Sequence, residues 1–228
     1  MSKLEIFMKL VSKIVLAHKG YFSAVSKKNY RENSVDVCRV STTKDYIGMI
    51  ELDIRKSKDG VLYCYHGSFF EYYFFLRFPK NFSYIKNKYN VDTLEEVLEV
   101  ISNDKIIVLD IKDKSIIKKD ILEAFQNKKF RDVVFGNSSV SFLESFGEVS
   151  KFMWGNLFCS FYNLSKLKQK NFKYFDVVFP WQINFKLVKA VELNGMMFGC
   201  FPLFFFGKKN YWNTINKYGL KRVNSDFV

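Results

Sequence analysis

Residues Ile14–Gly20 read IVLAHKG: a short apolar run, then a histidine, a lysine and a glycine. Such a run, bounded by a polar turn, is the pattern of a strand buried on both faces. In a doubly wound nucleotide-binding sheet the first strand is followed by a glycine-rich GxGxxG loop. His18-Lys19-Gly20 is not such a loop, which leaves a barrel as the better reading. Outward from this strand, β-branched or aromatic runs alternate with amphipathic helical stretches. Strand starts are expected at Ile14, Met49, Lys105, Asp132, Phe152, Asp176, Met196 and Lys221. Helices are expected over 33–46, 115–128, 140–146, 183–194 and 210–218, with Gly195 and Gly219 as stops for the last two. Asp92-Thr93-Leu94-Glu95-Glu96 opens a further helix with a capping pattern. About eight strands alternating with helices predict an α/β fold, a (β/α)8 TIM barrel in a single domain.

The chain has 228 residues, 48% hydrophobic and 26% charged, which excludes collagen, disulfide scaffolds and disorder. Its longest apolar runs, such as Cys200–Phe206, fall short of the roughly 18 residues of a spanning helix. Lysine and arginine number 36 against 23 acids, a net charge of +13. That excess suits a phosphate-bearing partner or a lysine-rich solvated surface. The lysines are spread along the chain, so no nucleic acid is expected. Cys38, Cys64, Cys159 and Cys200 form no CxxC pair, which excludes a zinc ribbon or thioredoxin motif. Reduced, buried thiols and a cytoplasmic location are expected. Residues 1–13 read as an amphipathic helix, with Leu4, Phe7, Met8 and Val11 on one face. Lys9 and Lys13 break the apolar run a secretory signal needs. The expected organisation is this helix followed by a barrel over 14–228.

The active site of such a barrel lies at the C-terminal ends of its strands. The two histidines of the chain, His18 and His66, both fall at strand ends. Glu51 and Asp53 are two residues apart on one strand and share a face. Asp110 on the next strand adds a third carboxylate. Buried carboxylates repel one another and lose solvation. A hard divalent cation, Mg2+ or Ca2+, relieves both penalties. Salt bridges to Lys19, Arg55 or Lys112 are the alternative. Two histidines, a carboxylate metal site and lysines suit phosphodiester cleavage, with one histidine taking a proton and the other giving one.

These residues, in order, resemble the glycerophosphodiester phosphodiesterase family. IVLAHKG resembles its first strand and His-Arg-Gly motif, and Glu32-Asn33-Ser34 its Glu-Asn-Thr. Ile50–His66, IELDIRKSKDGVLYCYH, resembles its signature of Glu-x-Asp, Lys-Asp-Gly and a closing histidine. Thr93-Leu94-Glu95-Glu96, Val108–Lys112 (VLDIK) and Gly219–Phe227 match its later motifs. The resemblance implies a metal-dependent (β/α)8 barrel that hydrolyses glycerophosphodiesters to glycerol 3-phosphate and an alcohol, through a cyclic phosphate. It implies His18 and His66 as the acid–base pair, and Glu51, Asp53 and Asp110 as ligands of one Mg2+ or Ca2+. Lys19 and Lys112 would bind phosphate, with Glu32 and Asn33 in support.

Several positions depart from the family. Lys19 stands for the usual arginine, Asp110 for glutamate, Gly67 for aspartate and Cys200 for tryptophan, and the usual last helix is missing. Aspartate at position 110 is similar to the related phospholipase D toxins that cleave sphingomyelin and lysolipids. Residues 69–78 form an aromatic stretch beside His66 that suits lipid contact, a satellite core or a dimer contact. Trp181 and Phe201–Phe206 sit near later strand ends and suit the same pocket. The partner expected first is therefore a small phosphodiester. A lysophospholipid with peripheral membrane contact is the second reading, and a phosphate- or membrane-binding barrel without catalysis the third.

Overall fold

A computed structural model describes residues 13–23, 25–71, 78–125, 128–155, 164–177, 180–200 and 208–227. Eight parallel strands run in the order β8-β7-β6-β5-β4-β2-β1-β9. They are β1 (Ile14–Ala17), β2 (Ile47–Lys56), β4 (Ile106–Ile111), β5 (Asp132–Asn137), β6 (Ser150–Gly155), β7 (Phe172–Val177), β8 (Met197–Cys200) and β9 (Arg222–Asn224). A short strand β3 (Leu62–Cys64) returns antiparallel along the end of β2. The expected (β/α)8 barrel is what the chain forms.

Strand alternation sorts the apolar side chains into two layers. Leu16, Met49, Ile106, Val108, Val134, Phe152 and Tyr174 fill the barrel interior. Their neighbours Val15, Ala17, Ile50, Leu52, Ile107, Leu109 and Phe175 face the helices. Helix Val35–Thr42 seats Val37, Cys38 and Ser41 on that outer layer and is capped by Ser34, whose hydroxyl accepts from the Val37 N–H. Helix Leu94–Glu99 starts with a capping box between Thr93 and Glu96, as its sequence predicts.

β8 and β9, the two ends of the hydrogen-bonded path, are bridged by side chains. Arg222 of β9 is buried, pairs with Asp176 of β7 and lies 4.4 Å over the Phe152 ring. To reach Asp176 it passes Gly199 of β8, where a Cβ would collide with both partners.

Some boundaries differ from the sequence reading. β7 starts at Phe172, four residues ahead of the expected Asp176, because the exposed Lys173 masks the alternation. β6 starts at Ser150, two residues ahead of Phe152, and includes a buried lysine. Lys151 donates to the carbonyls of Gly147, Val149 and Lys170, which makes its burial tolerable. Helix Leu164–Gln169, with two apolar residues in six, carries too few to announce itself. Cys38, Cys64 and Cys200 are free and buried, and burial pushes the Cys200 thiol up to about 12. The expected helix over 1–13, apart from Lys13, lies outside the described residues, as do Cys159, Phe201–Phe206 and most of the aromatic stretch after His66.

Gly199→Ala forces a methyl into a buried ion pair. Loss of such a pair together with overpacking costs about 3 kcal/mol or more. For a chain of this size that is a drop of about 6–12 °C in Tm. Calorimetry checks it, and a Tm within about 2 °C of wild type would contradict the bridge.

Candidate active site

β2 is the longest strand and carries the centre of the site. Glu51 and Asp53 point inward from it, and both are buried. Asp53 is in register with Asp110 of β4. Glu51, Asp53 and Asp110 each offer a carboxylate oxygen, all within 4.8 Å of one another. Lys112 extends back over them, its Nζ 2.9 Å from Asp53 and 2.5 Å from Asp110. With all three carboxyls ionised, the cluster would set one ammonium against three carboxylates, an excess of two negative charges in a buried place. An all-oxygen donor set with that residual charge fits a hard divalent cation.

Burial is the largest influence on the Glu51 carboxyl. With Asp53 and Asp110 beside it, its pKa lies well above the carboxylate range. Burial also pushes Asp110 up, against the pull of Lys112. For Asp53 burial acts in the same direction, but the charges of Lys112, His66 and Lys19 outweigh it and hold it low. Lys112 is itself buried, yet Asp110 and Asp53 keep its ammonium firmly protonated.

The turn after β1 closes around the same cluster. Lys19 is left-handed, with φ 54°, and its backbone N–H donates to Glu51 Oε2 at 2.7 Å. Its Nζ reaches Glu32 Oε2 at 3.1 Å. Gly20, with φ +79°, lies where a Cβ would meet Val37 and Cys38 at 2.8 Å, so only glycine fits. Asn33 is buried with φ 55° and binds Asp53 twice: Nδ2 donates to Oδ2 at 2.9 Å, and Oδ1 accepts the Asp53 N–H at 3.0 Å. Glu32 therefore supports Lys19, and Asn33 fixes Asp53.

His18 follows β1 and is buried. Its Nδ1 lies 3.0 Å from Asp226 Oδ2, and its N–H donates to Ser225 Oγ. The other Asp226 oxygen meets Lys27 at 2.7 Å. His66 follows β3 and is partly buried. Burial lowers its pKa, with Lys19 and Lys112 acting in the same direction and Asp53 against. Arg55, two residues beyond Asp53, donates to the carbonyls of Tyr65 and His66 and pairs with Asp113. All nine residues singled out from the sequence thus gather at one end of the barrel. Of the salt-bridge partners considered, Lys112 takes the carboxylates, Lys19 pairs with Glu32, and Arg55 holds the His66 backbone.

From the sequence, Asp226, Lys27 and Asp113 have no assigned role, and Arg55 is considered only as a salt-bridge partner of the carboxylates. Asp226 lies 208 residues from His18 along the chain, and only its place just past the last strand hinted at the mouth of the barrel. Arg55 shared the parity of Glu51 and Asp53, which was the available signal.

Solved structures share this architecture. Glycerophosphodiester phosphodiesterase from Thermotoga maritima superposes with a TM-score of 0.71 at 17% identity, over 94% of this chain and 95% of that one. A phosphodiesterase from Oleispira antarctica, solved with its product sn-glycerol 3-phosphate, gives 0.70 at 16%, over 94% and 93%. A protein from Galdieria sulphuraria described as a glycerophosphodiester phosphodiesterase gives 0.75 at 12%, over 94% of each chain. No protein-family model and no curated protein matches the sequence. The chain therefore has the (β/α)8 fold of these phosphodiesterases, in agreement with the resemblance read from its motifs.

The Asp226 carboxyl is held below its ordinary range: burial pushes it up, but His18 and Lys27 more than offset that. A carboxyl depressed on folding contributes stability that is complete above its unfolded pKa of about 3.9 and is lost as pH falls through the folded value. Urea unfolding of wild type and Asp226→Asn at stepped pH should show a gap that narrows on acidification below about pH 4. A gap independent of pH would contradict the ion pairs.

Proposed function

We propose that the protein is a metal-dependent phosphoric diester hydrolase. It acts on glycerophosphodiesters, releasing glycerol 3-phosphate and an alcohol, with residues 14–228 as its catalytic domain. The observation that carries this reading is the buried Glu51–Asp53–Asp110 triad at the barrel mouth, flanked by two histidines and two lysines. The shared fold supports it, as does the product held by the Oleispira antarctica enzyme.

Glu51, Asp53 and Asp110 would hold one Mg2+ or Ca2+, which when bound supplies Lewis-acid stabilisation of charge on phosphoryl oxygens. Lys19 and Lys112 set positive charge against the phosphate. The Asp226 carboxylate takes the His18 Nδ1 proton in a hydrogen bond and so leaves the ring's lone pair at Nε2. In this tautomer His18 is a base, and it removes the proton from the substrate hydroxyl that attacks phosphorus. The bond from phosphorus to the alcohol oxygen breaks, and His66 gives that oxygen its proton. Water then opens the cyclic phosphate with the roles reversed. Burial, with Lys19 and Lys112, lowers the His66 pKa against the pull of Asp53.

Release of glycerol 3-phosphate from glycerophosphocholine tests this reading. His18→Ala and His66→Ala should each lose about 10²–10⁴ in kcat. Full turnover in both variants would remove their roles, and no turnover by the wild type would remove the substrate. Asp110, together with the exposed Phe70 four residues beyond His66, favours lysophospholipids as a second substrate class. On that reading lysophosphatidylcholine is cleaved faster than glycerophosphocholine.

A further inference from the structure

The face of the barrel that carries the site also carries groups the chemistry does not use. β2 continues past the end of β4 into the turn Ser57–Gly60, and from there to helix Leu94–Glu99 the chain makes a long excursion, interrupted by β3 against β2. Within this excursion the Lys58 N–H donates to the Lys80 carbonyl at 2.9 Å. The two lysines, with Pro79, Asn81, Ser83 and Tyr84, line a hollow of about 450 Å3. None of these lining residues is acidic. At its edge Phe78 is 62% exposed. Phe70, four residues beyond His66, is 72% exposed. β7 stands four strands round the barrel from β2. On the turn Pro180–Gln182 that follows it, Trp181 is 67% exposed.

A single exposed apolar residue calls for no explanation. Here three aromatic rings lie on one face, on opposite sides of its mouth, beside a cationic hollow, in a chain of net charge +13. Aromatic rings settle at the headgroup level of a bilayer. Lysines near the surface of an anionic leaflet are attracted to it, each by a factor of about five in binding. We infer that this face docks on an anionic phospholipid bilayer. Lipid phosphates sit between Lys58 and Lys80, and Phe70, Phe78 and Trp181 enter the interfacial layer. Docked in this way, the mouth of the barrel opens onto the lipid surface. The inference does not depend on the catalytic reading.

Co-sedimentation with vesicles tests it, using phosphatidylcholine alone or with about 30 mol% phosphatidylserine. The protein should bind the mixed vesicles, release in about 0.5 M salt, and ignore the neutral ones. The pair Lys58→Ala and Lys80→Ala should weaken binding about 25-fold. Phe78→Ala should weaken it at constant charge. Trp181 fluorescence should shift to the blue on binding, a shift that Trp181→Phe abolishes. No binding to the mixed vesicles overturns the inference. So does wild-type binding by the lysine pair, or binding insensitive to Phe78→Ala with no Trp181 shift, which marks diffuse charge attraction. Lys58 and Lys80 are exposed and outside the site, so the lysine pair should turn over glycerophosphocholine as the wild type does. A defect in turnover alone would then count against the catalytic reading and not against docking.

Discussion

Three carboxylates within 4.8 Å of one another, all buried, are the constraint around which this barrel is organised. Taking one charge out of water costs several kcal/mol, and like charges side by side add to it. Much of the surrounding structure reads as compensation. Lys112 covers Asp53 and Asp110, the Lys19 N–H reaches Glu51, and Asn33 satisfies Asp53 from both ends of its amide. These partners come from the turn after β1 and the end of β4, so the fold must be complete before the cluster is tolerable. Three oxygen donors, with an excess of two negative charges when all are ionised, suit the cluster to a divalent cation.

The histidines are placed by separate devices. His18 is tied to the end of the chain through Ser225 and Asp226, and Lys27 holds Asp226 from its other side. His66 is held by its backbone, through Arg55, which leaves the ring to respond to the charges near it. One ring is thus fixed by a carboxylate, and the other is shifted by burial and the lysines beside it. On the proposed mechanism that asymmetry would let two chemically identical side chains take opposite roles in proton transfer. It depends on barrel closure, because Asp226 follows β9, the strand that the Arg222–Asp176 pair ties across Gly199 to β7.

Much of this was legible in the sequence. The strand–helix alternation named the barrel, and the parity of Glu51 and Asp53 with the two histidines at strand ends pointed to the residues that gather at its mouth. The partners were harder to see. Asp226 meets His18 only through closure of the barrel, and no local pattern couples residues so far apart. Arg55 was weighed as a carboxylate partner because it shares their face, but the β3 hairpin brings two carbonyls within its reach and Asp113 takes its charge. β7 was read short because Lys173 interrupts its apolar run on the solvent side. Polar residues on strand exteriors hide strands, and contacts between distant strand ends hide partners.

The central claim is that the buried triad binds a divalent cation. Thermal unfolding in chelator, and in a series of Mg2+ and Ca2+ concentrations, tests it without reference to any substrate. A cation bound only by the folded state adds about 2.7 kcal/mol at a hundredfold excess over its Kd, or about 5–11 °C in Tm for a chain of this size. Wild type should show that rise, and Asp53→Asn and Asp110→Asn should lose most of it. A wild-type Tm unmoved by either cation, or a rise of equal size in both variants, would contradict the account.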